Sequence, residues 1–241
     1  MIRASTADLL AAWEEGLGEP AVDRAPSFLR SLGLIQARDP AAMTVGECDL
    51  MLFELRGWLF GPDLEMVATC PACGEVLDLV IPAPALLPDP PANVVSQVTV
   101  EDDGLRIRCR LPTNADLTAI SALGTAATAV DLLDRCVVEI AGQDAPSAAG
   151  DLPPALAERV ISTLAASDPG AEITADIACP CGAQWREVVD IRSILCTELT
   201  SWARARLAEV HELASAYGWA ERDILAMSAY RRRFYLEACA G

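Results

Sequence analysis

Apolar residues near the start of the chain recur at helical spacing, and glycines and polar residues cut the pattern into short pieces. Leu9, Leu10, Trp13 and Leu17 form one stripe; Ser5 is placed to cap it, with Asp8 three residues on, and Gly16 and Gly18 mark its end. A second piece begins near Asp23, carries Pro26 in its first turn, turns Phe28, Leu29 and Leu32 inward and stops at Gly33. After a loop through Pro40, Thr44 and Glu47 make a capping box for a third helix. There Met51, Leu52, Leu55, Trp58 and Leu59 keep the register until Gly61-Pro62. Residues 1–62 thus read as an N-terminal helical segment.

At Leu64 the period changes. LEMVATC and EVLDLVIP are β-like runs around the turn Cys70-Pro71-Ala72-Cys73-Gly74, and AEITADIAC and AQWREVVDI repeat that layout around Cys179-Pro180-Cys181-Gly182. Residues 63–82 and 172–191 are read as the two halves of a zinc ribbon, which must meet across an insertion at 83–171. The insertion opens on a proline-rich linker (Pro82, Pro84, Pro88, Pro90, Pro91), after which VVSQVTV and LRIRCRL flank Glu101-Asp102-Asp103-Gly104 as a β-hairpin. Thr113, Asn114 or Asp116 then starts a helical stretch that Val130, Leu132, Leu133, Val137, Val138 and Ile140 continue to Gly142. Pro153-Pro154 opens another helix, carrying Leu156, Val160, Ile161 and Leu164 and closed by Asp168-Pro169-Gly170.

Residues 192–241 read as C-terminal helices. Ile191 to Tyr217 holds no proline or glycine, Glu221 to Met227 gives a short helical turn, and Ser228 can cap a last helix with Tyr230, Phe234, Tyr235 and Leu236. The fold class that follows is α+β: helical N- and C-terminal segments around a split zinc ribbon with a β-hairpin-plus-helices insertion.

Charge narrows the partners. Lysine plus arginine total 18 against 35 aspartate plus glutamate, a formal net charge of −17, which repels phosphate backbones and anionic membrane surfaces. No nucleic-acid partner is expected, and no apolar run reaches the roughly 20 residues of a membrane span. The first sixteen residues carry Arg3 but also Asp8, Glu14 and Glu15 and lack an apolar signal core, which predicts a cytoplasmic protein.

The nine cysteines divide into two kinds. Cys48, Cys109, Cys136, Cys196 and Cys239 stand singly among apolar neighbours, as small buried hydrophobes do. Cys70, Cys73, Cys179 and Cys181 stand in knuckles, where soft thiolates can meet a tetrahedral structural zinc at about 2.3 Å. In both knuckles proline follows the first cysteine and glycine the last. The second has one spacer residue fewer, which tightens its loop and leaves open whether both of its sulfurs reach one ion. The competing readings are a vestigial site held by a disulfide or by packing, and a site in which Cys196 or His211 replaces a ligand.

Catalytic constellations are not expected. His211 is the one histidine and falls mid-helix between Glu209 and Glu212 on what reads as a solvated face; the acid pairs Glu14-Glu15 and Asp102-Asp103 lie on a helix flank and a turn. The tail carries the one basic run. Tyr217, Trp219, Arg231, Arg232, Arg233 and Phe234 are the expected contacts to a protein partner.

Three stretches give the chain a wider likeness. Trp58-Leu59-Phe60-Gly61-Pro62 leading into CPACG, the segment RCRLPTNADL, and the tail AEVHELASAYGWAERDILAMSAYRRRFYLE, with Asp190-Ile191 before the long helix, resemble the baseplate protein family of contractile-tailed phages and phage-tail-like contractile injection systems. The tail also resembles the helical endings of phage tail assembly chaperones. The resemblance implies a non-enzymatic role in the baseplate or hub, as a resident subunit or a transient assembly factor, with the other tail and baseplate proteins of the particle as partners. The departure is the shortened second knuckle. Its cysteine turns alone would suggest a different class, a zinc-ribbon regulator associated with nucleic acid, but Glu65, Glu75, Asp78 and Asp176 surround the knuckles, offset mainly by Arg186.

Overall fold

A computed structural model describes residues 4–36, 38–89, 95–143 and 145–239; Arg3, Pro90, Pro91 and Val94, named above, lie outside them. The chain is mixed helix and sheet, in the order α1 (Thr6–Leu17), α2 (Ala21–Ser31), α3 (Val45–Phe60), β1 (Asp63–Thr69), β2 (Val76–Pro82), β3 (Gln97–Asp102) and β4 (Leu105–Arg110). It continues with α4 (Asn114–Ser121), α5 (Ala129–Cys136), β5 (Val137–Ala141), α6 (Pro154–Ser167), β6 (Thr174–Ala178), β7 (Gln184–Val188), α7 (Ile191–Tyr217), α8 (Glu221–Leu225) and α9 (Ala229–Cys239). Two compact units result, residues 1–37 with 192–241, and residues 38–191. Among the described residues no helix is long and apolar enough to cross a membrane.

The first unit is helical. Ser5 and Asp8 form the capping box of α1, with Ser5 Oγ accepting from the Asp8 N–H and the Asp8 carboxylate from the Ser5 N–H at 2.8 Å. The second helix starts earlier than Asp23, at Ala21 behind Pro20, so Pro26 lies inside it. Gly16 lets α1 and α2 close up: a Cβ there would stand 2.6 Å from the Phe28 ring. Trp13 Nε1 donates to Thr200 Oγ1 on α7 at 3.2 Å, and Leu195, Leu199, Leu213 and Ile224 are buried.

In the second unit Thr44 Oγ1 accepts from the Glu47 N–H, but the Glu47 carboxylate pairs with Arg38 at 2.6 Å, so the expected box is only half made. The insertion has its own core. Strands β3, β4 and β5 form an antiparallel sheet whose Val98, Val100, Ile107 and Cys109 pack with Leu133 and Cys136 of α5 and Leu156, Val160 and Leu164 of α6. Its hairpin turns on two residues, Asp103 and Gly104, both at positive φ, so Glu101 and Asp102 belong to the strand.

The third strand corrects the expectation of a helix running to Gly142. Val137, Val138 and Ile140 suit a helical stripe, yet the chain leaves α5 at Cys136 and pairs with β4, where Arg108 and Glu139 meet at 3.2 Å across the ladder. A run of β-branched residues beside an available strand edge favours the ladder over the helix. The supposed linker is also partly structured, since Pro82 ends β2 and Pro84 lies in a short 3-10 turn.

Thr113, rather than Asn114 or Asp116, is the cap of α4. Asn114 Nδ2 instead donates to the Pro40 carbonyl at 2.8 Å, the Val45 N–H donates to the Pro112 carbonyl, and the Asn114 N–H to that of Met43. These bonds tie the insertion to the start of α3. A second tie is sterically tight: the Gly46 N–H donates to Asp168 Oδ2 at 3.0 Å, and a Cβ on Gly46 would stand 2.6 Å from Asp168 Cγ and 2.8 Å from the Ala171 nitrogen. Gly46→Ala is therefore expected to destabilise the protein by about 2–3 kcal/mol through overpacking and loss of this buried hydrogen bond. Urea denaturation checks it, and a midpoint equal to that of the wild type would refute the packing described.

Candidate metal centre

Two hairpins frame the centre, and neither has much to hold it. β1–β2 and β6–β7 are separate two-stranded sheets, with Leu64 and Ala68 buried in one and Ala175 and Ile177 in the other. Ribbons of that size are marginal in water without a partner or a cross-link.

Each knuckle is fixed by a pair of backbone hydrogen bonds. In the first, the Cys70 N–H donates to the Glu75 carbonyl at 2.8 Å and the Gly74 N–H to the Cys70 carbonyl at 2.9 Å. In the second, the Cys179 N–H donates to Ala183 and the Gly182 N–H to Cys179, both at 2.9 Å. The frame is the same, shortened by the missing spacer residue. Gly74 and Gly182 stand at φ +77° and +94°, where a side chain would strain the return into the next strand.

The four sulfurs converge. Cys70 Sγ lies 3.7 Å from Cys181 Sγ and Cys73 Sγ lies 3.7 Å from Cys179 Sγ, and all four are within 4.8 Å of one another. A disulfide would bring two of them to about 2.05 Å, and none of the nine cysteines is so joined. Four sulfurs at about 2.3 Å from a central ion stand about 3.8 Å apart along a tetrahedral edge, so the spacing here suits an ion and not a bond. The group could hold a metal ion. Cys70 and Cys179 are buried and Cys73 and Cys181 exposed, with each close pair joining one of each kind across the hairpins.

Electrostatics favour a cation in the middle. The Cys73 N–H donates to Cys70 and, against some desolvation, brings its thiol down to about 6, with help from the Ala72 N–H. At Cys179 the Cys181 N–H acts in the same sense, but burial and the three neighbouring sulfurs outweigh it and push the thiol up to about 12. One sulfur ionises readily and then resists the ionisation of others; a bound cation removes that conflict.

Several of the remaining cysteines and of the other expected groups are buried or paired. Cys48, Cys109 and Cys136 are buried, with the Cys136 thiol pushed up to about 11 by desolvation, while Cys196 and Cys239 are half-buried. His211 is exposed on α7, but Glu209 beside it is not a solvated acid: it pairs with Arg206 at 2.7 Å and with Arg232 at 3.3 Å. Arg232 is buried and also donates to the Met227 carbonyl at 2.6 Å, so the middle of the arginine run is a core residue of the C-terminal helices. Tyr217 and Trp219 stack at 4.5 Å, and Tyr235 meets the Trp219 ring edge-on at 4.9 Å. Of the expected contact group, Tyr217, Arg231, Arg233 and Phe234 are exposed.

A feature that the sequence reading passed over is the ion cluster at the buried Asp116. Arg110 binds both carboxylate oxygens, at 2.6 and 2.8 Å, Arg135 adds a bond at 3.0 Å, and the Thr113 N–H and hydroxyl each donate at 2.9 Å. Burial opposes the charge, yet the Arg110 and Thr113 bonds outweigh it and hold the carboxyl well below the usual carboxylate range. RCRLPTNADL supplied Arg110, Thr113 and Asp116, but Arg135 comes from another helix.

Compared with known proteins, the chain matches no protein-family model, no curated protein and no solved structure.

Proposed function

We propose that the chain is a non-enzymatic structural or assembly protein of the baseplate or hub of a contractile phage-tail-like particle, with one structural zinc closing a split ribbon. The observation that carries the zinc is the convergence of four thiols from two distant knuckles, whose cross-hairpin pairs stand 106 and 111 positions apart along the chain. Zinc suits an all-thiolate tetrahedral set, and four thiolates leave no position for water, so such a centre folds the chain and does no chemistry. The two-stranded hairpins supply the need for it. A metal clamp contributes the stability that their few buried side chains do not.

The placement in a baseplate rests on the resemblance of the three stretches. Two of them have structural duties in the fold: RCRLPTNADL carries the Asp116 cluster and the tail carries the Arg232–Glu209 pair and the aromatic stack. Such duties suit residues that define a scaffold. The exposed carboxylates Glu65, Glu75 and Asp78 around the first knuckle oppose a phosphate-backbone partner and leave the nucleic-acid reading without support.

Deletion of the gene in the producing cell tests the role. The expected result is loss of intact sheathed particles in electron micrographs, restored by the wild-type chain supplied in trans. Undiminished particle yield would overturn the reading. Mass spectrometry of purified particles then separates a resident subunit, which is retained, from an assembly factor, which is absent.

A further inference from the structure

Two surfaces of opposite character stand open to solvent, one on each compact unit. On the β1–β2 hairpin Val67, Val76 and Val80 are 63%, 59% and 66% exposed. The register sets Val80 opposite Glu65 and Val67 opposite Asp78, so aliphatic and acidic positions alternate across one face. Residues 63–82 hold Asp63, Glu65, Glu75 and Asp78 and no basic residue. On α9 Tyr230 and Phe234 are 83% and 60% exposed and, four residues apart, lie on one helical face. Arg231 and Arg233 flank them, Arg233 sharing its charge with Glu237 at 2.9 Å. In a chain of net charge −17, this arginine-aromatic face is the exception.

We infer that the chain associates head to tail with itself. The α9 face of one copy, through Tyr230, Arg231, Arg233 and Phe234, docks on the β1–β2 face of a second copy, through Glu65, Val67, Asp78 and Val80. Charge complementarity selects this occupant. The hairpin face sets its valines among carboxylates alone, and the α9 face sets its aromatics between Arg231, which no carboxylate of the described residues pairs, and Arg233, whose charge Glu237 offsets, so the prevailing signs are opposite. Packing either face on its own equivalent sets like charges together, so a two-fold dimer is disfavoured. The contact is heterologous, and every copy that uses one face still offers the other. Growth then continues into a ring or a helical stack. Aromatic and arginine anchors meeting aliphatic side chains make the type of contact in which a few residues carry most of the affinity. The inference rests neither on the baseplate placement nor on the identity of the metal.

Sedimentation velocity of the full metal-loaded chain tests it. At about 50 mM salt and about 100 μM protein, species larger than a dimer are expected, returning to monomer at about 500 mM salt or on dilution. Two variants isolate the faces: Val67→Lys with Val80→Lys on the hairpin, and Arg231→Ser with Phe234→Ser on α9, so that the two altered faces do not attract each other. Each is expected to be monomeric alone. Their equimolar mixture is expected to form a one-to-one dimer and nothing larger, since each retains one intact face. If the lysine pair loses metal, Glu65→Arg with Asp78→Arg replaces it. A wild type that stays monomeric under these conditions overturns the inference, whether its faces close within one chain or serve a different partner. So does a variant that still forms the larger species, or a mixture that remains monomeric.

Discussion

In a Cys70→Ser variant the zinc content is expected to fall from the proposed one ion per chain, at about one equivalent, to near none, and the two cysteine hairpins to open. The effect is large because a closed thiolate site in small metal domains contributes on the order of 10–16 kcal/mol of apparent binding energy, which is folding energy for the segments it joins. Those segments here are β1–β2 and β6–β7, and among the described residues neither sheet has a third strand. Opening should remain local. The sheet of β3, β4 and β5 has its own core with α5 and α6 and does not draw on the thiols. Hydrogen exchange should therefore show lost protection across residues 63–82 and 174–188, with protection in β3 and β4 kept. Cys196→Ser serves as the control and is expected to retain full metal. Unchanged metal content in the Cys70 variant, or equal loss in the Cys196 variant, would remove the proposed ligand set.

Asp116→Ala is expected to have the second-largest effect. The variant leaves Arg110 and Arg135 side by side without their shared carboxylate and strips α4 of its capping box. Breaking a buried pair from one side costs about 3–5 kcal/mol, and the lower end applies because both arginines keep part of their surface in water. A loss of about 3 kcal/mol should appear as a melting temperature lower by roughly 6–12 °C. The pH dependence carries a sign. The folded-state pKa of Asp116 is depressed, so its contribution is fully present above the unfolded value of about 3.9 and is lost as pH falls through the folded value. Wild-type stability should show that acid limb, and Asp116→Asn should flatten it while leaving the profile above about pH 5 parallel to that of the wild type. An acid limb unchanged in the variant would contradict the cluster as described.

What the sequence disclosed follows the range of the forces involved. Ser5 with Asp8, Thr113 with Asp116 and the unbroken run from Ile191 to Tyr217 act within a turn or two, and each element stands where that local chemistry puts it. The cysteine constellation is long-range yet legible, because residues able to share an ion declare themselves by type and by the proline and glycine around them. The strand at Val137 was not legible: its apolar spacing fits a helix, and only the edge of β4, a partner about thirty positions earlier, decides the matter. The same holds for Arg232, whose burial depends on Glu209 on another helix, and for Arg135 at Asp116. The alternation of β1 and β2 fixes that Val67 and Val80 share a face but not that this face stays open. That depends on β1 and β2 having no third strand beside them among the described residues, which a two-residue period cannot express.

X-ray absorption at the zinc edge of the purified full chain reads the ligand set itself. The proposed centre requires one zinc per chain surrounded by four sulfurs at about 2.3 Å, with no oxygen or nitrogen in the inner shell. A protein that purifies without metal, or a spectrum that requires nitrogen or oxygen ligands in place of any of the four cysteines, would contradict it.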